Sequence, residues 1–339
     1  MSFQTAKAAV RAFHDALEKT DSQSIAGEIK NHVARDYTFR GVHPFNEIDG
    51  AEAVAEQVWM PLKEAFTSLQ RRTDIFFASD NSLEGAEGQW VCCMGNFLGL
   101  HDAPWLDIPP TRRLGWIRFA EFNRVVEGRI AETALFIDIL GVMHQAGVYP
   151  LGPQTGAHFM YPGPRTHDGL LYDDEDPTSG QVTLELVDAM VADLGRLNLA
   201  DNQRMPAKEL AKCWTPNMLW YGPFGIGATY TIERYQQQHQ YPFRLALKDK
   251  TFNGHVARFA EGHYAGFFGW PNLSNRNSGG FLGQGASESS ADMRVVDVYR
   301  REGDRLAENW VFIDMLHYFN MQGFDVLKRM RQLAGREAV

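Results

Sequence analysis

The sequence predicts an α+β protein built as two tandem copies of one domain, and three observations carry that reading. The segment Arg129-Ile-Ala-Glu132-Thr-Ala-Leu-Phe136-Ile137-Asp138-Ile-Leu140 returns 176 positions later as Arg305-Leu-Ala-Glu308-Asn-Trp-Val-Phe312-Ile313-Asp314-Met-Leu316, with Gly147 and Gly323 in the same register. In each half, helical spacing comes first and period-2 spacing follows, the order of an α+β domain rather than of alternating βαβ units. A chain of 339 residues holds two domains of about 150 residues, the size at which one core buries enough surface to stand alone. A repeat near half the chain length means a duplicated domain, not a solenoid of short units. The expected division is a first domain over 1–148, a Pro/Gly-rich segment over 149–181 and a second domain over 182–339.

In chain order, Phe3 to Lys19 carries Ala6, Val10, Phe13 and Leu17 at helical spacing without Gly or Pro, which predicts an amphipathic helix. A short helix over Ile25–Val33 and a strand over Asp36–Gly41 follow, the strand stopped by Gly41 and Pro44. Ala51–Gln70 reads as a third helix, kinked before Pro61. The second copy gives Leu184–Leu197, Ala207–Cys213, Met218–Gly222 and Thr229–Leu247 in those places. Aromatic and branched residues then mark strands at Arg71–Ala78, Gln89–Leu98, Leu114–Arg124 and Arg129–Leu140, and at His255–Phe259, His263–Trp270, Met293–Arg300 and Arg305–Leu316. Three charges also repeat within these strands: Arg118, Glu121 and Arg124 meet Arg294, Asp297 and Arg300. Between the copies, Phe159, Met160 and Tyr161 make the 149–181 segment too apolar for a free linker, so it is expected to lie on a domain.

Charge and composition exclude several classes. With 33 basic against 42 acidic residues and a net charge of −9, the chain is not built to neutralise phosphates, and nucleic acid is not an expected partner. No apolar run is long enough to span a membrane, and Met-Ser-Phe-Gln-Thr-Ala-Lys lacks the apolar core of a signal peptide, so the expectation is a cytoplasmic protein without a membrane partner. Cys92, Cys93 and Cys213 imply neither a disulfide framework nor a zinc site. The 11 His residues include no His-x-His or His-Glu-x-x-His pair, so no metal is expected. Dinucleotide, Walker and Gly-x-Ser-x-Gly loops are absent too.

Three helices, a long bent antiparallel sheet and a closing strand of the form Arg-Ile-Ala-Glu132-x-x-x-x-x-Asp138-x-Leu, followed by Gln145-Ala-Gly147, resemble the SnoaL-like polyketide cyclase family. That family is a branch of the nuclear transport factor 2 and ketosteroid isomerase superfamily. The resemblance covers both copies and implies two cone-shaped α+β barrels, each three helices packed on a strongly bent antiparallel sheet around an apolar cavity. It also implies a small hydrophobic ligand, acid/base chemistry without any cofactor, and a homodimer or an intrachain pseudo-dimer. By motif match the general acid/base role falls on Asp138 and Asp314. The second copy departs from the pattern, since Met321-Gln322-Gly323 carries its Gln one place later.

The residues themselves bear on this. On a strand, Glu132, Ala134, Phe136, Asp138 and Leu140 share one side. A carboxyl flanked there by Phe136 and Leu140 faces poorly hydrated space, which raises its pKa toward the value that suits proton abstraction beside a carbonyl; a related fold illustrates this in ketosteroid isomerase. The alternative is an acid paired with Arg118 or Arg40 to pin the sheet. Asp314, among Trp310, Phe312 and Leu316, is open to the same two readings. Candidate ligand contacts are Arg40, His43, His101, Trp116 and Arg118 in the first copy and Tyr221, His263, Trp270, Arg294 and Trp310 in the second. Glu132 and Glu308 read as salt-bridge partners of Arg124 and Arg300.

The expected function is a cofactor-independent lyase or isomerase, of cyclase, isomerase or dehydratase type, acting on an apolar enolisable carbonyl compound. The alternative is a carrier that holds a hydrophobic molecule unchanged, and a third reading is a scaffold with filled cores.

Overall fold

Two sets of residues close on themselves in the computed structural model, which describes residues 2–85, 88–199 and 206–335. Residues 1–150, 165–174 and 325–339 form one unit, and residues 151–164 and 175–324 the other. The segment expected at 149–181 is shared between them.

In the first unit, α1 (Gln4–Lys19) buries Ala6, Val10, Phe13 and Leu17, the stripe its spacing dictates. Then come α2 (Ile25–His32), β1 (Val33–Gly41), β2 (Asn46–Asp49) and α3 (Ala51–Val54). A π-helical turn (Ala55–Trp59) leads into α4 (Met60–Ala65), where Pro61 occupies the first turn and its missing N–H costs little. The helix expected to reach Gln70 ends at Ala65 because Phe66 already pairs with His101: ladder bonds claim residues whose spacing alone suits a helix. The sheet follows as β3 (Phe66–Asp80), β4 (Gln89–His101), β5 (Leu114–Val126) and β6 (Arg129–Ile137), closed by α5 (Ile139–Gln145). Its order is β2-β1-β6-β5-β4-β3. Pairing is antiparallel except between β1 and β6, which run parallel, and bulges along β1, β3 and β6 bend it.

The second unit repeats the plan with α6 (Pro177–Leu199), α7 (Ala207–Leu210), β7 (Trp214–Tyr221), β8 (Ala228–Tyr230) and α8 (Ile232–Tyr235). A second π-helical turn (Gln236–Gln240) precedes α9 (Tyr241–Ala246), then β9 (Leu247–Phe252), β10 (Ala257–Glu261), β11 (Tyr264–Asn277), β12 (Ser290–Glu302), β13 (Arg305–Ile313) and α10 (Met315–Met321). The last helix, α11 (Val326–Leu333), counts with the first unit. The second sheet runs β10-β11-β12-β13-β7-β8, with β7 and β13 parallel and β9 also paired to β11. Each unit therefore has the α+β plan that the repeat predicted, with the bent sheet that the resemblance implied. One difference matters below: where β3 is a single strand of 15 residues, the second unit breaks it into β9 and β10 at residues 253–256.

The connecting segment is structured. In the first unit Gly169 and Leu171 bond the main chain of Phe76 on edge strand β3, and Lys7, buried, donates to the carbonyl of Asp173 at 2.7 Å and lies 3.6 Å from the Asp174 carboxylate. In the second unit Ala157 pairs with Ala228 of β8. Each sheet thus has an edge strand covered by a piece of this segment, which blunts an edge that would otherwise template pairing.

Candidate active site

The strand that carries each candidate acid ends one residue short of it. β6 stops at Ile137 and β13 at Ile313, and Asp138 and Asp314 are the N-cap residues of α5 and α10. The N–H of each is held by the carbonyl of the matching arginine, Arg118 or Arg294, at 3.0 Å. Asp314 accepts from the His317 N–H at 3.0 Å and forms an ion pair with Arg294 at 3.2 Å, the pinning role rather than an acid left in apolar space. Asp138 is 8% exposed.

The other candidates are dispersed. Arg40 pairs with Glu132 and Glu47; His43 lies in the turn between β1 and β2. His101, buried, stacks on Phe66 at 4.5 Å, and burial lowers its pKa. Trp116 is bound through both its backbone N–H and C=O by the Gln145 side chain, so the Gln of the Gln-x-Gly motif locks α5 to β5. Tyr221 stacks on the buried Trp310, whose indole N–H donates to the Pro162 carbonyl. Arg294 covers the Trp270 ring at 3.9 Å, and His263 lies at an exposed turn against Arg301. Glu132 and Glu308 pair with Arg124 and Arg300, as expected.

None of these twelve candidates lines the cavity of the second unit, a space of about 470 Å³. Its walls are α6 (Met190, Val191, Leu194), the helical run of α8 and α9 with its π turn (Tyr235, His239, Phe243) and the sheet (Trp214, Trp220, Phe252, Phe267, Met293, Val295, Val311, Ile313). For Trp310 the physical reason is strand parity. Asn309, Val311 and Ile313 of β13 face the cavity, so Glu308, Trp310 and Phe312 face the other way. A shift of one residue exchanges the two faces.

One acid does face this cavity, Asp297 of β12. Its Oδ1 accepts from the Tyr299 hydroxyl at 3.0 Å and from Asn309 Nδ2 at 3.1 Å. Among the described residues no group donates to Oδ2 and no cation pairs with the carboxylate. Burial among apolar walls pushes its pKa up to about 6, against the lowering effect of the Asn309 and Tyr299 hydrogen bonds. Two imidazoles share the cavity: His239 stacks on Trp220 at 4.1 Å and His255 on Phe267 at 4.1 Å, and burial pushes their pKa values down to about 3 and about 4. Both are neutral near pH 7.

The first unit holds the matching acid in another state. Glu121 occupies the Asp297 position, and Asn123 and Thr133, paired across β5 and β6, match Tyr299 and Asn309, paired across β12 and β13. Glu121 Oε1 takes hydrogen bonds from His14 at 2.5 Å and Asn123 at 2.7 Å, and Oε2 an ion pair from Arg71 at 2.9 Å. Burial would raise its pKa, but Arg71 and these donors outweigh burial and hold the carboxyl well below the usual range. Burial and the Arg71 charge lower the His14 pKa, against the raising effect of Glu121. The Arg71 guanidinium lies against the stacked rings of Phe97 and Phe119, 4.8 and 4.7 Å from their centres. A void of about 260 Å³ is walled mainly by Arg11, Asp15, Glu18, Arg71 and Thr73, and Glu121 does not line it.

Ladder register identifies what replaced those partners. Arg71 pairs with Phe97, which pairs with Ile117; Phe252 pairs with Leu273, which pairs with Met293. Phe252 therefore holds the place of Arg71. The buried positions 6, 10 and 13 of α1 match 183, 187 and 190 of α6, which sets Val191 in the place of His14. Among the described residues no group of three or more His, Cys, Asp or Glu is arranged to hold a metal ion, and no helix is long and apolar enough to cross a membrane.

Residues 7–146 match the family described as SnoaL-like polyketide cyclase. No curated protein matches the chain. Among solved structures the chain is similar to an NTF2-like protein from Burkholderia xenovorans LB400, at 13% identity over 42% of this chain and 98% of that one with a TM-score of 0.34. It is similar also to an NTF2-like protein from Burkholderia thailandensis E264, at 17% identity over 41% and 95% with a TM-score of 0.33. A third is TsrD from Streptomyces laurentii, at 21% identity over 44% and 98% with a TM-score of 0.31.

Proposed function

From the premise that the first domain belongs to the SnoaL-like polyketide cyclase family and the second repeats its architecture, we propose that the chain is a cofactor-independent acid/base enzyme whose working site is the second cavity. Asp297 is its proton-transfer group. The observation that carries this reading is the half-bound carboxylate: Oδ1 is anchored by Tyr299 and Asn309, Oδ2 has no donor among the described residues, and Asp297 lines a mostly apolar space of about 470 Å³.

A base near pH 7 needs a pKa near 7 and a lone pair that no protein donor occupies. Asp297, pushed up to about 6, is mostly ionised at neutral pH yet binds a proton far more readily than an ordinary aspartate. Its Oδ2 takes a proton from the carbon next to a carbonyl of an apolar guest, leaving an enolate. The same carboxylic acid returns the proton to a different atom in an isomerisation, to a departing hydroxyl in a dehydration, or to the new alkoxide after an aldol ring closure. Aromatic walls from Trp214, Trp220, Phe243 and Phe267 suit a flat, mostly apolar substrate.

Exchange of the α-protons of 1-tetralone in D2O, followed by NMR, tests this without knowledge of the natural substrate. The intact protein should accelerate exchange, and Asp297→Asn should reduce that acceleration by at least ~100-fold. Undiminished exchange in the variant would remove Asp297 from the chemistry. A bound molecule that leaves the protein with its α-protons unexchanged would favour a carrier.

A further inference from the structure

We propose that His239 donates a hydrogen bond from a neutral imidazole to the oxygen of the bound carbonyl compound, across the cavity from Asp297. This rests on the reading of the second cavity as an enolisation site. It adds the group that receives the charge that site creates.

Removing a proton beside a carbonyl moves negative charge onto the oxygen, and a donor waiting there is worth roughly 100- to 1000-fold in rate. Asp297, Tyr299 and Asn309 cannot supply it, because they are bonded to one another. Asn272 is committed as well, its Nδ2 donating to the Gly254 carbonyl at 3.2 Å. His255 belongs to the chain break beside Phe252, a residue 59% exposed, and so stands at the rim. His239 instead projects from the helical wall, opposite the sheet that bears the acid. Its ring is held flat on Trp220 at 4.1 Å and 16°, with Tyr235 and Phe243 rings at 5.5 and 5.3 Å. Those contacts fix the plane of the imidazole without using its nitrogens.

Backbone geometry points the same way. His239 belongs to the π-helical turn Gln236–Gln240, a distortion that re-aims side chains and recurs at functional sites. The first unit has the same turn, and aligning Pro61 with Pro242 sets Val58 in the place of His239. The imidazole is therefore found in the unit whose acid is open and missing from the unit whose acid is sealed by Arg71. Burial keeps His239 uncharged at neutral pH, so it stabilises an enolate without holding an extra proton in competition with Asp297.

The test compares 1-tetralone with tetralin, which has the same rings and no oxygen, by titration against the intact chain. The unmodified protein should prefer 1-tetralone by roughly 10-fold, the value of one good hydrogen bond. The carbonyl stretch of bound 1-tetralone should move to lower frequency. His239→Phe should bind tetralin as before, lose the preference and lose the shift, whereas His239→Gln should keep most of both. A His239→Phe protein that retains the preference and the shift overturns the proposal, leaving His239 as packing for Trp220. Should His239→Phe not fold, loss of the shift in His239→Leu with retention in His239→Gln supports the proposal, and retention in both overturns it. Because these readouts are binding and vibrational, they decide the role of His239 even where α-proton exchange fails and the Asp297 reading falls.

Discussion

Two carboxylates at one position of a duplicated fold have opposite fates. Glu121 is wrapped by Arg71, His14 and Asn123 and held ionised; Asp297 keeps two neutral donors, an open oxygen and a pKa near 6. Beside Glu against Asp, Asn123 against Tyr299 and Thr133 against Asn309, two replacements change the groups around the acid: Arg71 against Phe252 and His14 against Val191. Both positions carry a carboxylate, and only in the first unit does a cation pair with it. A paired carboxylate serves stability, and an unpaired one in apolar space is costly unless its chemistry is used. The first unit reads as the structural copy, the second as the chemical one.

The largest expected effect breaks the chemical half. Asp297→Asn should lower α-proton exchange about 1000-fold, whereas Glu121→Gln should leave exchange within about twofold of the unmodified protein. The structural half breaks next. Glu121→Gln strands the Arg71 guanidinium in a buried site and should cost the first unit about 3–5 kcal/mol, read by denaturant unfolding with a probe in that unit. Because the folded Glu121 pKa is depressed, its stabilisation is present above the ordinary value of 4.5 and disappears as pH falls below it.

Asp297 shows the reverse sign. Its folded pKa of about 6 lies above the ordinary 3.8, so folding favours the protonated form and stability declines as pH rises through about 6. Asp297→Asn should accordingly raise the stability of the second unit by about 2 kcal/mol at pH 8 and by little at pH 4. An equal gain at both values would mean that the carboxylate is not desolvated. A smaller change sharpens the comparison: Phe252→Arg with Val191→His gives the second unit the partners of the first. The pH midpoint of exchange, expected near 6 in the unmodified protein, should fall by about one unit or more.

Much of the fold was legible because duplication wrote it twice. The repeated Arg-x-Ala-Glu strand, the helices-first order and the hairpin turns at Gly128 and Gly303 all appear in the structure. The site was less legible, for reasons of register. Asp138 and Asp314 follow their strands by one residue, and a helix cap there looks in sequence like one more strand position. Period 2 then assigned the cavity to residues 308, 310 and 312, when 309, 311 and 313 line it. The Glu121 and Asp297 pair was visible as a repeated charge, but the loss of its cation was not. Arg71 and Phe252 correspond only once both strands are paired, bulges included. His239 was hidden because a π turn displaces side chains from the spacing of a regular helix.

The strip of chain that returns to the first sheet at residues 169–174 bears on where this protein can be cut. Lys7, 1% exposed, places its ammonium against the Asp173 carbonyl and the Asp174 carboxylate, both supplied from beyond residue 150. A protease nick near residue 155 would leave those two acceptors beside Lys7 only for as long as the severed end stayed docked. A fragment ending at residue 150 would lack both of these acceptors, so the first copy draws contacts to its first helix from amino acids translated after its own sheet is finished.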